Sequence, residues 1–356
     1  MSQNTVQKHR QKLSLAQYSY VIIFIVLFIA YYLISGQLKW TGITNILRHS
    51  AVVGVISLGM GLIIITGEID LSVGAILGCI ASFGCVIFNV MNNAGLPVWL
   101  IFTLTILFCL AGGTLLGFFN GFLIGRVQLP AFIVTLATQL IFRSACQYAS
   151  RALPKELTGA SANSYSMVKA QVESGMNARD AMYTFGNSKI PGIEIPVVGL
   201  IFIAAALILV YVTTSTKYGK RLFAIGSNTK AAHMAGINVE WNKVSVFTIT
   251  GLLCGLGAAM WLCLQGNVDP ATTGVTNEMF AIAAVVLGGI SMSGGKGRLA
   301  GVIFGALSYT IIDKIIAALN VDSLINNAIK GAILLIAIVI QVLGPQLKGK
   351  GKKKNA

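Results

Sequence analysis

Two carboxylates, Glu68 and Asp70, stand in the segment Gly67-Glu68-Ile69-Asp70-Leu71-Ser72, between two long uncharged runs. Carboxylates placed that close to apolar spans mark a polar pathway, an ion site or a satisfied helix end. An Asp just before Leu71-Ser72-Val73 can cap the following helix and complement its dipole, and the residues alone leave capping and pathway roles both open. Glu68 is free to reach the membrane surface. The segment is echoed by Gly288-Gly289-Ile290-Ser291-Met292-Ser293, again after an apolar helix and before a glycine-rich one. Paired interruptions in the two halves of a membrane chain point to a translocation site, because broken helices free backbone groups that can replace a polar solute's water. Such backbone is tolerated only where it lines a cavity or is buried in protein. The expected pathway therefore comprises Gly67, Glu68, Asp70, Ser72, Gly74, Gly288, Gly289, Ser291 and Ser293.

Other chemistry is absent from the pattern. The three histidines, His9, His49 and His233, are isolated, and there is no zinc-binding pair or nucleophile elbow. No catalytic or metal-ligating residue and no cofactor site is expected on this chain. The run from Gly289 to Lys296 resembles a phosphate loop superficially, but its register fails. Ile290 stands where the first glycine is required, and Gly297 follows the lysine instead of Ser or Thr.

The elements that must position these residues follow from composition. Of the 356 residues 55% are apolar and 10% charged, and the mean hydropathy is +0.79. A soluble protein of this length would lack polar surface, so lipid is the main solvent. Ten apolar runs predict about ten transmembrane helices: Tyr18–Ile34, Ala51–Thr66, Val73–Val90, Trp99–Phe119, Ala131–Tyr148, Pro196–Thr213, Val244–Leu264, Met279–Met292, Leu299–Ala318 and Ile329–Val342. Runs shorter than the ~20 residues a spanning helix needs require tilt or breaks. The fold expected is an all-α polytopic bundle. Residues 1–17 form a basic tail, 18–347 the membrane domain and 348–356 a lysine-rich tail. Both glycine-rich interruptions then fall near the cytoplasmic face, whereas an inverted repeat would put them on opposite faces.

The formal charge of +15 sits in short segments between spans and at the two ends, which is a topology signal and not a nucleic-acid surface. It places both termini, Arg126, Lys220, Lys243 and Lys296 in the cytoplasm. The segment 149–195 falls outside, which its length permits despite its basic residues. Gly36–Leu47 offers no convincing small-residue cleavage site, so the first span reads as an uncleaved anchor. All six cysteines lie in apolar runs and read as packing residues. Gly113, Gly117, Gly121 and Gly125 form one helical stripe, with Gly251/Gly255 and Gly297/Gly301/Gly305 as further examples, and packing within one subunit is favoured over a dimer seam.

The segment 214–243 is the most informative loop. It reads Lys217-Tyr218-Gly219-Lys220-Arg221-Leu222-Phe223-Ala224-Ile225-Gly226-Ser227-Asn228, then Thr229-Lys230-Ala231-Ala232-His233-Met234-Ala235-Gly236. Ser227 or Asn228 can cap a short helix, Ala231, Ala232 and Ala235 give it a small-residue face, and Gly236 ends it. A short cytoplasmic helix of that kind can enter a partner's groove.

Taken together, three segments resemble the permease subunits of ribose, galactose, xylose and arabinose ABC importers. They are Gly67–Gly74, Asn120-Gly121 through Leu129-Pro130-Ala131-Phe132-Ile133-Val134-Thr135-Leu136, and the loop just described with Glu278 and Ala281–Gly289. The resemblance implies a bundle of the vitamin B12 importer type with internal repeats. It adds Asn120 to the pathway, and it makes the segment from Tyr218 to Val239, including Gly219, Gly226, Asn228, Ala231, Ala232 and Gly236, the ATPase coupling segment. It implies a bacterial cytoplasmic (inner) membrane location, a second permease copy or paralogue, a separate ABC ATPase subunit that binds ATP-Mg, and a periplasmic sugar-binding protein. This chain departs from the family at Glu68, where a second glycine is usual, at Phe280, where an acidic residue is usual, at Arg298, and in the length of 149–195. The rival reading is an ion-coupled secondary transporter using Asp70, Glu68 or Asp313.

The topology is testable by single-cysteine labelling from the periplasm. A cysteine placed at Lys220 is expected to stay unlabelled in intact cells, and cysteines placed between Ser161 and Asn187 are expected to react. The opposite pattern would overturn the scheme.

Overall fold

The computed structural model describes residues 19–36, 39–159, 163–169 and 176–319, together with 325, 328–332, 335, 336 and 339. Both expected tails and half of the run Ile329–Val342 lie outside the described residues. The helices are α1 (Ser19–Ser35), α2 (Trp40–Ile65), α3 (Val73–Asn93), α4 (Val98–Gly125), α5 (Ala131–Ala152), α6 (Lys155–Thr158), α7 (Ala178–Asn187), α8 (Val197–Ser215), α9 (Lys217–Ser227), α10 (Thr229–Met234), α11 (Val239–Gln265), α12 (Asn277–Leu287) and α13 (Ala300–Ala318). Two short strands, β1 (Tyr165–Ser166) and β2 (Asn267–Val268), pair antiparallel.

Among the described residues six helices, α2, α3, α4, α8, α11 and α13, are long and apolar enough to cross a membrane by length and composition. α1 is slightly short at 17 residues, and α5, at 22, carries Arg143 and Arg151. The run Met279–Met292 is not a single span: Gly288 caps α12 after 11 residues, and Gly289 turns the chain with φ +80°. At 1.5 Å per residue α12 is about 17 Å long, roughly half of a ~30 Å hydrocarbon core.

α2, α3 and α11 are apolar all round because protein surrounds them, with 83%, 78% and 72% of their most apolar windows buried. α4 and α8 bury only 28% and 33%, and turn Leu115, Phe119, Leu207 and Ile208 outward, as helices facing lipid do. The described parts of segment 149–195 lie at one end of this bundle. There Trp40 Nε1 donates to Ile193 O at 2.6 Å, the Asn89 amide donates to Leu157 O and Ser166 O, and β1 pairs with β2. The opposite end gathers the C-termini of α2 and α4, the start of α11, α9, α10 and the loop 288–299. All six cysteines are buried and unpaired.

Helix contacts are set by glycine. A Cβ at Gly113, Gly117, Gly121 or Gly125 of α4 would stand within 2.7 Å of backbone atoms of α11, among them those of Gly251, Phe247, Val244 and Glu240. The stripe is thus spent inside one chain. Gly301 and Gly305 do the same for α13 against Gly288 and Ala284 of α12, while Gly297 lies in the preceding loop with φ +125°.

Gly117→Leu should lower stability by about 3 kcal/mol, since the new side chain meets backbone that cannot rotate away. Leu115→Ala, on the outer face, should change it by no more than about 0.5 kcal/mol. Thermal inactivation of the detergent-purified chain measures both.

Candidate functional site

The break between α2 and α3 is built by its own polar residues. Gly67 turns the chain with φ +85°, and Asp70 is buried at 1% exposure. Its Oδ1 accepts from the Ser72 backbone N–H at 2.7 Å and from Ser72 Oγ at 2.6 Å. Asp70 therefore organises the turn at the cap residue itself and does not cap the first turn of α3, where Ser72 is the N-cap. Ser72 Oγ also accepts from Asn120 Nδ2 of α4 at 2.8 Å. Asp70, Ser72 and Asn120 form one buried chain of hydrogen bonds, and it ends in an open acceptor: among the described residues Asn120 Oδ1 has no partner. A buried carbonyl without a donor is costly, and a hydroxyl passing it would supply one.

At the second residue of α3, a Cβ at Gly74 would lie 2.1 Å from Gly274 O and 2.7 Å from Glu278 Oε2. Residues 269–276 thus form a third break, non-helical backbone reaching from β2 down to α3. Arg143 of α5 holds it, donating from Nη1 to Pro270 O at 3.1 Å and Thr273 O at 2.9 Å. Sequence reading passed over this break and Arg143, although Asp269-Pro270 and Gly274 are turn signals. Glu68 does not reach freely to a surface. It pairs with Lys243 of α11, and both are about four-fifths buried.

The second motif lies elsewhere. Gly288 serves the contact with Gly301, Gly289 and Ser293 are exposed, and Ser291 closes its own turn by accepting from Gly294 N at 3.0 Å and, through Oγ, from Ser293 N at 3.3 Å. These residues do not join Asp70, Ser72 and Asn120. What meets the first motif is the end of the same loop, since a Cβ at Gly294 would stand 2.9 Å from Gly67 Cα. Both glycine-rich interruptions therefore lie at one end of the bundle, in backbone contact.

The loop 214–243 joins them there. Thr216 caps α9 through Gly219 N, and Gly219 lies against Thr213. Tyr218 Oη and Ser245 Oγ are 2.8 Å apart, and burial pushes the Tyr218 phenol above its ordinary range. Gly226 leaves no room for a side chain, since its Cβ would fall 1.8 Å from Ile65 O, the carbonyl that accepts from Gly295 N at 2.9 Å. Asn228, and not Ser227, caps α10 by accepting from Ala231 N at 3.0 Å, and Gly236 ends the helix with φ +79°. Ala232 does not belong to an outward small-residue face. It is buried with Ile225 and Val239, because the turn after α10 brings Ile237 N to Ala232 O at 3.1 Å and folds α10 onto the start of α11. The face left open carries Lys230, Ala231, His233, Met234 and Ala235, with Met234 81% exposed. Beside it a cleft of about 570 Å³ runs between α10, the turn Gln128–Ala131 and the start of α11.

Comparison with known proteins agrees with this architecture. The family described as "Branched-chain amino acid transport system / permease component" matches residues 42–338. The chain is 30% identical to the xylose transport system permease protein XylH of Escherichia coli K12, over 89% of this chain and 88% of that one. It is 35% identical to the ribose import permease protein RbsC of Bacillus subtilis (89% and 90% covered) and 31% identical to that of Haemophilus influenzae (83% and 84%). No solved structure matches significantly. With the family matched over most of its length and these broken helices at its centre, the chain belongs to the branched-chain amino acid transport system permease component family.

Proposed function

We propose that the chain is the permease subunit of an ATP-driven importer that carries a monosaccharide or similar small polar solute into the cytoplasm. It works beside a second copy or a paralogue. A separate ABC ATPase subunit hydrolyses ATP-Mg beneath it, and a periplasmic binding protein delivers the solute. The solute class rests on the relatives named for xylose and ribose. α1, α5, α12 and the run Ile329–Val342 join the six long helices as ten membrane segments, in a bundle of the vitamin B12 importer type with both termini cytoplasmic.

One observation carries the reading: the backbone joint of Ile65, Gly67, Gly226, Gly294 and Gly295. A push on α9–α10 reaches the first break with no compressible side chain between, and Asp70, Ser72 and the open Asn120 carbonyl lie a few residues beyond. Displacing Gly226 moves Ile65 O and so the turn that orders the polar chain. The secondary-transporter reading has less support, since Glu68 and Asp313 are engaged in ion pairs with Lys243 and Lys330.

Proteoliposomes holding the permease, its ATPase and a ribose- or xylose-loaded binding protein test this. Met234→Glu buries an unpaired charge in the docked interface, so uptake and stimulation of ATPase activity, normalised to assembled complex, should fall together by tenfold or more, an effect of at least ~1.4 kcal/mol. Asn120→Leu should reduce uptake per ATP hydrolysed while the loaded binding protein still stimulates hydrolysis. Ala232→Glu is the contrast, expected to disrupt the loop's own packing and lower the yield of assembled complex. Unaltered uptake and stimulation in Met234→Glu would remove α10 from the coupling role.

A further inference from the structure

A second polar cavity, of about 250 Å³, lies between α2, α12 and α13, in the outer half of the bundle. His49 stands nine residues along α2 from Trp40, roughly 14 Å from the end that segment 149–195 covers. The cavity is smaller than the ~300–1,000 Å³ pockets of drug-sized ligands and suits a solute of sugar size. It plays no part in the Asp70 network.

Its lining is selective. Phe280 and Tyr309 make an aromatic wall, with ring centroids 4.8 Å apart and planes tilted by 34°. The Tyr309 hydroxyl belongs to a side chain only 5% exposed, and among the described residues it has no hydrogen-bond partner. Asp313, the carboxylate of the lining, is already engaged: Lys330 Nζ lies 2.7 Å from it and 4.9 Å from the Phe280 centroid. Lys314, also in the lining, forms no ion pair among the described residues. Behind His49, Arg48 spends its guanidinium on the neutral amide of Asn187. The single carboxylate Asp313 thus faces both Lys330 and Lys314, with Arg48 nearby, and the balance of charge around the cavity is positive. Asn277, the first residue of the half-length helix α12, adds the positive end of that helix dipole, a device that broken transporter helices direct at anionic groups.

We propose that this cavity is a solute subsite for an anionic, polyhydroxylated compound, a monosaccharide acid. Its carboxylate sits on Lys314 and the N-terminus of α12, a hydroxyl pairs with Tyr309 Oη, and the carbon face of the solute lies on Phe280. The proposal rests on the importer reading and narrows its solute from a neutral sugar to a sugar acid.

The test uses the assembled permease–ATPase complex in phosphatidylcholine nanodiscs, with binding of D-gluconate, D-ribose and acetate followed by calorimetry. Gluconate is expected to bind at least tenfold more tightly than ribose or acetate. Lys314→Gln should abolish the preference over ribose and Lys314→Arg should retain it. Tyr309→Phe should weaken gluconate about fivefold, and it serves as the reporter if Lys314→Gln fails to assemble. Equal affinity for gluconate and ribose, or a preference surviving Lys314→Gln, would overturn the proposal. So would the capture of phosphatidylglycerol from mixed-lipid discs, lost in Lys314→Gln, with no gluconate binding in neutral lipid, which would assign the cavity to a lipid headgroup. A complex that assembles and hydrolyses ATP yet shows no anion preference sinks only this inference, whereas failure to assemble with any ABC ATPase subunit sinks the importer reading itself.

Discussion

Every non-helical stretch inside this bundle must find partners for its backbone within the protein, because hydrocarbon offers none and each orphaned group costs several kcal/mol. That constraint explains why glycine gathers where the chain breaks. Gly74 lies against Gly274, Gly67 against Gly294, and Gly226 against the Ile65 carbonyl. At each place two stretches of backbone approach to distances that a single methyl group would prevent. The breaks are affordable because other breaks cover them.

The same constraint decides where charge can stand. Glu68 is tolerated beside the first break because Lys243 meets it, and Arg143 can stand midway along α5 because two loop carbonyls take its guanidinium. The buried Asp70 carboxylate is held by an N–H and a hydroxyl and, among the described residues, by no cation. A hydrogen-bonded carboxylate of that kind stiffens a turn without an ion pair to a neighbouring helix. Two further ion pairs stand farther from the first break: Arg126 with Glu240 at 2.5 Å beside the cleft next to α10, and Lys189 with Glu194 at 2.7 Å on the covered end.

Much of this was legible in the sequence. Apolar runs located α2, α3, α4, α8, α11 and α13, and the four-residue glycine spacing announced the seam between α4 and α11, because both signals are local and periodic. The first break was visible for a similar reason, as a polar hexapeptide between apolar runs. The second break was visible as the Gly288-Gly289 interruption, but hydropathy alone ran the apolar stretch on to Met292 and so overstated α12, which ends at Leu287. The orientation of Ala232 was not legible, since it depends on α10 folding back onto Val239; three alanines on a short helix look alike until a tertiary contact selects one. Arg143 was invisible because its partners are backbone carbonyls more than a hundred positions away, which leave no trace in residue type.

The joint between Ile65 and Gly295 also bears on how the protein is made. The carbonyl that ends α2 emerges early from the ribosome, and the amide that satisfies it belongs to a loop near the far end of the chain. At ~5–20 residues per second the intervening segment takes on the order of ten seconds or longer to synthesise. Over that interval the end of α2 must be held by interfacial water, by the insertion machinery or by a chaperone. The first half of the chain thus enters the membrane with its central turn unfinished, and only the arrival of the last helices completes it.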